Sequence, residues 1–124
     1  MRKFLTIILL LVSVMISAQQ PQMTFKQQAI DLGHISIKKK KVKCRFVFRN
    51  VGDAPLLIDE VETSCGCTSA SYKARPVLPG SHGVITIVFR PNTQQPGEFR
   101  KSITVYSNTP GGYTRLFIKG KIYL

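Results

Sequence analysis

Two cysteines one residue apart, in the string Ser64-Cys65-Gly66-Cys67-Thr68, are the side chains whose type and spacing best suit chemistry. In an extended chain residues two apart project to the same side, so both sulfurs would face one way. The intervening Gly66 admits backbone conformations closed to other residues. Three chemistries compete for this pair. A structural bridge is the first. Joining Cys65 to Cys67 closes a very small ring, and ideal extended geometry sets the two Cα atoms ~6.6 Å apart, near the upper limit for a disulfide, so Gly66 would bend the chain. Joining Cys44 to either of them would instead tie two strands and enclose 22 to 24 residues. The loop-entropy argument values such a bridge at roughly 3 kcal/mol. Thiol–disulfide exchange is the second chemistry, since a strained bridge is readily reduced, although no helix N-terminus follows to lower a thiol pKa. Metal binding is the third: two thiolates suit Cu(I) or Zn(II), with Cys44, His82 or His34 as candidate further ligands. No second Cys or His pair stands at the spacing of a four-coordinate structural zinc site, so no cofactor is expected.

The remaining constellations point away from catalysis. His34 and His82 each sit beside a glycine near a strand boundary and read as solvated turn residues. Ser, His and Asp occur, but no nucleophile elbow links them. Asp59, Glu60 and Glu62 form one acidic cluster, with Glu60 and Glu62 on one face of a strand and Asp59 on the other; ion pairs with Lys or Arg are the expected use. The glycines punctuate turns and form no phosphate-binding loop.

The elements that must position Cys65 and Cys67 are short and β-like. The N-terminus comes first: Met1-Arg2-Lys3 is basic, Phe4 to Ile16 is an apolar run broken by Thr6 and Ser13, and Ser17-Ala18 supplies small residues. That order reads as a secretory signal peptide, residues 1–18, cut after Ala18. The apolar run is too short for a spanning helix, which needs ~20 residues, so the mature chain is expected to lack one. Gln19 to Gln22 reads as a short flexible leader, and residues 23–124 as one domain. Export places the protein in the periplasm or outside the cell, where cysteines oxidise.

After the cut, 16 basic residues face 6 acidic ones, a net charge of +10. Export and the lack of a nucleic-acid motif remove the reading such charge would carry in a cytosolic protein. An anionic envelope surface is a candidate contact, solubility the plainer use. Lys38-Lys39-Lys40-Lys41, with Lys43, reads as a charged hairpin that discourages edge-to-edge pairing.

From Met23 onward, short β-type runs alternate with Gly, Pro, Asn and Asp. Met23 to Phe25 and Ala29 to Ile37 read as one interrupted strand, with Gly33 at a kink or bulge. Val42 to Arg49 alternates cleanly, Val42, Cys44, Phe46 and Phe48 on one face and Lys43, Arg45 and Arg49 on the other. Further strands are expected at Leu56 to Val61, Ser69 to Tyr72, Gly83 to Arg90, Phe99 to Ser107 and Tyr113 to Leu124. No segment of the mature chain has a helical apolar period. Seven or eight strands in about 100 residues predict an all-β, immunoglobulin-like sandwich, with Phe46, Phe48, Phe89, Phe99 and Phe117 as its core and Leu116, Ile118 and Ile122 facing inward.

The residues Phe46-x-Phe48-x-Asn50-x-Gly52, Pro55-Leu56-x-Ile58, Ser64-Cys65-Gly66-Cys67-Thr68, Pro79-Gly80, Gly83-x-Ile85, Gly97-x-Phe99, Ser107-Asn108 and Leu116-x-Ile118-x-Gly120 carry a resemblance. Together they resemble the exported bacterial domain-of-unknown-function family 1573, itself similar to Hydin-type and major-sperm-protein immunoglobulin-like domains. The Cys-Gly-Cys-Thr string is its specific part, and Cys44 is not in the motif. The resemblance implies an immunoglobulin-like fold and an envelope or extracellular setting, and no settled activity. The expected function is a non-catalytic binding or scaffolding module for another envelope or extracellular protein, centred on Ser64 to Thr68 with Arg75 to Gly80. The alternative is a thiol redox or Cu/Zn-handling protein using Cys65 and Cys67.

Overall fold

The computed structural model describes residues 19–124, so the signal-peptide reading of residues 1–18 lies outside the described residues. Eight strands follow in order: β1 (Met23–Phe25), β2 (Ala29–Ser36), β3 (Val42–Asn50), β4 (Ile58–Thr63), β5 (Thr68–Tyr72), β6 (His82–Phe89), β7 (Gly97–Ser107) and β8 (Tyr113–Tyr123). They form two four-stranded sheets, β1-β3-β6-β5 and β2-β8-β7-β4. All neighbours are antiparallel except β2 and β8, which run parallel. This is the immunoglobulin-like sandwich that the alternating pattern predicts. Among the described residues no helix is long and apolar enough to cross a membrane. Among the described residues a single 3-10 turn, Pro91–Thr93, is the helical element that the alternating pattern does not show.

The core follows the period of two. On β3, Phe46 and Phe48 are buried while Lys43, Arg45 and Arg49 are exposed. On β6 and β8 the inward rows are Ile85, Ile87 and Phe89, and Leu116, Ile118 and Ile122. Phe25 tilts against Phe48 with ring centroids 5.5 Å apart, closing one end of the core. Phe99 is half-buried and stacks on Phe89 at 4.5 Å. Phe117 corrects the expected core. It stands between the buried Leu116 and Ile118, so alternation turns it to the outer face, where the Arg100 guanidinium lies 4.2 Å from its ring centroid. An unbroken apolar triplet conceals that phase.

The expected first strand is two strands in different sheets. β1 pairs with β3 and β2 with β8. The polar stretch Lys26-Gln27-Gln28 carries the switch: Lys26 N–H still bonds Val47 O at 3.0 Å, and Gln28 O already accepts from Phe117 N–H at 2.8 Å. Gly33, at φ +72°, sits within the register shift between Asp31 and His34, a bulge at a conformation L side chains rarely adopt.

Gln19 to Gln22 is not a free leader. Gln20 N–H donates to Asp53 Oδ1 at 2.8 Å, Asp53 N–H returns a bond to Gln20 O at 3.0 Å, and Val51 N–H bonds Gln22 O at 2.9 Å. Pro21 is buried there. Gly52 permits the approach, because a Cβ at that position would overlap the backbone of Gln20 to Gln22. The centre of this region is Asn50, fully buried. Its Oδ1 accepts from Gln22 N–H at 3.3 Å and Gly52 N–H at 3.0 Å. Its Nδ2 donates to Ala54 O at 2.8 Å and Val77 O at 2.9 Å. One side chain therefore ties the leader, the β3–β4 connection and the β5–β6 loop.

Candidate functional site

Ser64 to Cys67 is the crossover from β4, an edge of the second sheet, to β5, an edge of the first. Cys65 and Cys67 are joined by a disulfide, their Cα atoms 5.2 Å apart. That is shorter than the extended spacing, so the chain bends at Gly66 as expected. The bend is held by its neighbours. Thr68 N–H donates to Cys65 O at 3.2 Å. The Thr63 hydroxyl bridges Cys65 O and Thr68 O at 3.2 and 3.1 Å. Cys67 N–H points at Cys65 Sγ, 3.1 Å away. Ser64 is fixed to β7 from both sides, its N–H bonding Ser102 O at 3.0 Å and its hydroxyl accepting from Ser102 N–H at 3.0 Å.

The two sulfurs differ in access. Cys67 is buried within the core and its sulfur lies 3.4 Å from the Thr68 hydroxyl, whereas Cys65 is half-buried. Arg90 N–H bonds Cys67 O at 2.9 Å. The following 3-10 turn brings the Gln94 amide to 3.9 Å from Cys65 Sγ. Thr63, Arg90, Gln94 and Ser102 thus belong to the site, and nothing in their sequence context marks them.

Cys44 is not a bridge partner; it is a free thiol. Its rung runs Cys44–Ile87–Ala70, so β6 lies between it and the strand that Cys67 leads into. Two strand spacings amount to ~9.6 Å, beyond the reach of a disulfide. Burial pushes the Cys44 thiol up to about 11, so it is protonated at neutral pH.

The candidate ligands do not assemble. His82 begins β6, whose other end, Phe89, pairs with Thr68, which separates it from the cysteines by roughly 24 Å of strand. His34 lies at the β2 bulge, lining a shallow cavity with Asp31, Glu98 and Lys121. Among the described residues no three His, Cys, Asp or Glu side chains gather at metal-binding distance. In the acidic cluster, Asp59 falls at the β4 register shift, and Glu62 accepts a bond from the Tyr106 hydroxyl at 3.3 Å. That carboxylate raises the Tyr106 pKa, mainly by its charge.

No curated protein matches the chain. Among solved structures it is similar to a protein of unknown function from Porphyromonas gingivalis W83, with 21% identity and a TM-score of 0.75 over 88% of this chain and 50% of that one. The chain therefore spans half the length of that protein. It is also similar to the ASH/PapD-like domain 7 of human CEP192 (10% identity, TM-score 0.68, 88% of this chain and 90% of that one). The periplasmic chaperone SfaE is a third (10% identity, TM-score 0.53, 82% and 57%). These likenesses place the sandwich among PapD-like folds. A family model matches residues 23–122, from the start of β1 into β8, and the chain belongs to that family, described as protein of unknown function DUF1573.

Proposed function

We propose that the chain is exported and then acts as a non-catalytic binding module, engaging another protein along the free edge of β5 beside the Cys65–Cys67 crossover. The carrying observation is the placement of that crossover: it leads directly into a sheet edge whose outer side has no neighbouring strand among the described residues. Because Arg90 N–H bonds Cys67 O, alternation along an antiparallel pair turns the N–H groups of Thr68, Ala70 and Tyr72 away from β6. Thr68 is occupied by Cys65 O, which leaves Ala70 and Tyr72 facing outward. An extended segment can add there by main-chain pairing. The likeness to a periplasmic chaperone supports both export and protein contact. Ala70→Pro removes one outward donor and leaves the β6 ladder intact. With the fold unchanged by circular dichroism, it is expected to lose the protein captured by the wild type from the producing cell's envelope. Undiminished capture by Ala70→Pro would overturn the edge reading.

A second reading rests on the disulfide itself, which spans three residues and has one half-buried cysteine, Cys65. In it, the thiolate of an external dithiol attacks Cys65 Sγ, the S–S bond breaks, and Cys67 leaves as the thiolate; the second external thiol then closes its own disulfide and releases Cys65. Equilibration in glutathione or dithiothreitol buffers, followed by mass spectrometry, decides it. A potential below about −300 mV belongs to a structural disulfide and removes this reading.

A further inference from the structure

The net positive charge is segregated. The strands of the second sheet carry five basic and five acidic residues and are neutral as a set. The strands of the first sheet carry Lys43, Arg45 and Arg49, with His82, and no acid. The remaining acid, Asp53, lies in the β3–β4 connection and is bonded to Gln20. Charge placed for solubility alone would not need to keep acids off one sheet, and a one-sign face raises a directed field.

The basic residues of β3 share that sheet's outer face. Lys43, Arg45, Val47 and Arg49 alternate outward on β3 and stand opposite Val88, Thr86, Val84 and His82 on β6. Neighbouring outward residues repeat every ~6.8 Å along the strand. Exposed basic residues continue past its ends: Lys38 to Lys41 just before β3, Arg90 just after β6, and Lys73 and Arg75 just after β5. The positive charge spreads in two dimensions, and only its Lys73–Arg75 end borders a shallow cavity. At one rim Leu78, 59% exposed, and Val84, 42% exposed, stand in the open, sharing a shallow cavity with Lys73, Arg75 and His82. A soluble polyanion has no use for such apolar groups, whereas a bilayer takes both: anionic headgroups meet the basic residues and the interface takes the apolar ones.

We infer that the outer face of the first sheet, with Leu78 at its rim, docks on the surface of an anionic lipid bilayer. The inference stands apart from the edge of β5 and survives if that reading fails.

Cosedimentation with phosphatidylcholine vesicles, with and without phosphatidylglycerol, tests it. The protein is expressed from the full 124-residue sequence and its N-terminus is read by mass. Binding is expected with phosphatidylglycerol only, and is expected to fall steeply with salt. Lys43→Gln/Arg45→Gln/Arg49→Gln is expected to lose about 100-fold, from the worth of each basic residue near an anionic surface. Arg115→Gln/Lys119→Gln/Lys121→Gln removes the same charge from the second sheet and is expected to lose far less. Equal losses in the two variants would overturn the inference, since net charge alone would then act. Binding to neutral vesicles as well would trace the effect to apolar residues and overturn it too. Capture by dextran sulfate without vesicle binding would make the ligand a soluble polyanion and dismiss the bilayer.

Discussion

Two successive connections between the sheets, β3–β4 and β4–β5, are held by opposite means. The β3–β4 connection is organised by a buried amide, Asn50, whose four side-chain hydrogen bonds reach three separate segments. The β4–β5 crossover is closed by a covalent bond that spans three residues. Intuition ranks the covalent tie higher, but the magnitudes reverse the order. A loop of three residues recovers only about 1.6 kcal/mol of chain entropy. Cutting a buried amide away leaves Gln22 N–H, Gly52 N–H and Ala54 O without partners, at about 1–3 kcal/mol for each group left unsatisfied, while Val77 O keeps its bond from Leu56 N–H. Distant segments are joined by the amide, and near neighbours by the disulfide. The difference assigns global stability to Asn50 and local shape to Cys65–Cys67.

Asn50→Ala should break the comparison first if it is wrong. It is expected to lower unfolding stability by about 3 kcal/mol, the upper range for single substitutions, measured by urea denaturation. A loss below that of the cysteine variant would invert the argument. Cys65→Ser/Cys67→Ser comes next. About 1.5 kcal/mol or less should go, with the circular-dichroism spectrum kept and hydrogen exchange quickened at Thr68 rather than in β3. A spectrum that collapses would show that the bend cannot form without the bond.

The smallest effect concerns Cys44. Its folded pKa is raised from an ordinary 9.0 to about 11 by burial, so the folded state holds its proton more tightly than the unfolded chain. Its contribution is therefore complete below pH 9 and declines as pH rises toward 11. Between pH 8 and 10 a loss on the order of 1 kcal/mol is expected, and Cys44→Ala should flatten that slope. A thiol with so little thiolate at pH 8 should also stay outside any exchange at Cys65–Cys67, which alkylation followed by mass spectrometry would read directly.

Much of this architecture is legible in the chain before any coordinates. The alternation from Val42 to Arg49 carries its own phase, and Leu116, Ile118 and Ile122 face inward as their spacing implies. Gly33 marks its bulge because few other residues accept that backbone. What escapes does so for physical reasons. An asparagine before Val51-Gly52 looks like a solvated turn residue, and only the convergence of segments distant in sequence makes it a buried hub. Residues 23–25 and 29–36 have one β-like texture, so pattern alone cannot say that they join different sheets. At the candidate site, the motif Ser64 to Thr68 is visible as a string, but Thr63, Gln94 and Ser102 reach it through the fold. The disulfide partner is likewise a matter of which strand intervenes.

The parallel pair of β2 and β8 bears on the order of events during synthesis. Ala29 aligns with Phe117 and Ile35 with Ile122, so β2 must wait for β8 before it has a neighbour among the described strands. A ribosome delivers every strand from β3 to β8 before that seam can close, and contacts so remote in sequence form slowly. Until then β2 is an unpaired ribbon with Ile30, Leu32 and Ile35 uncovered, open to whatever holds nascent chains.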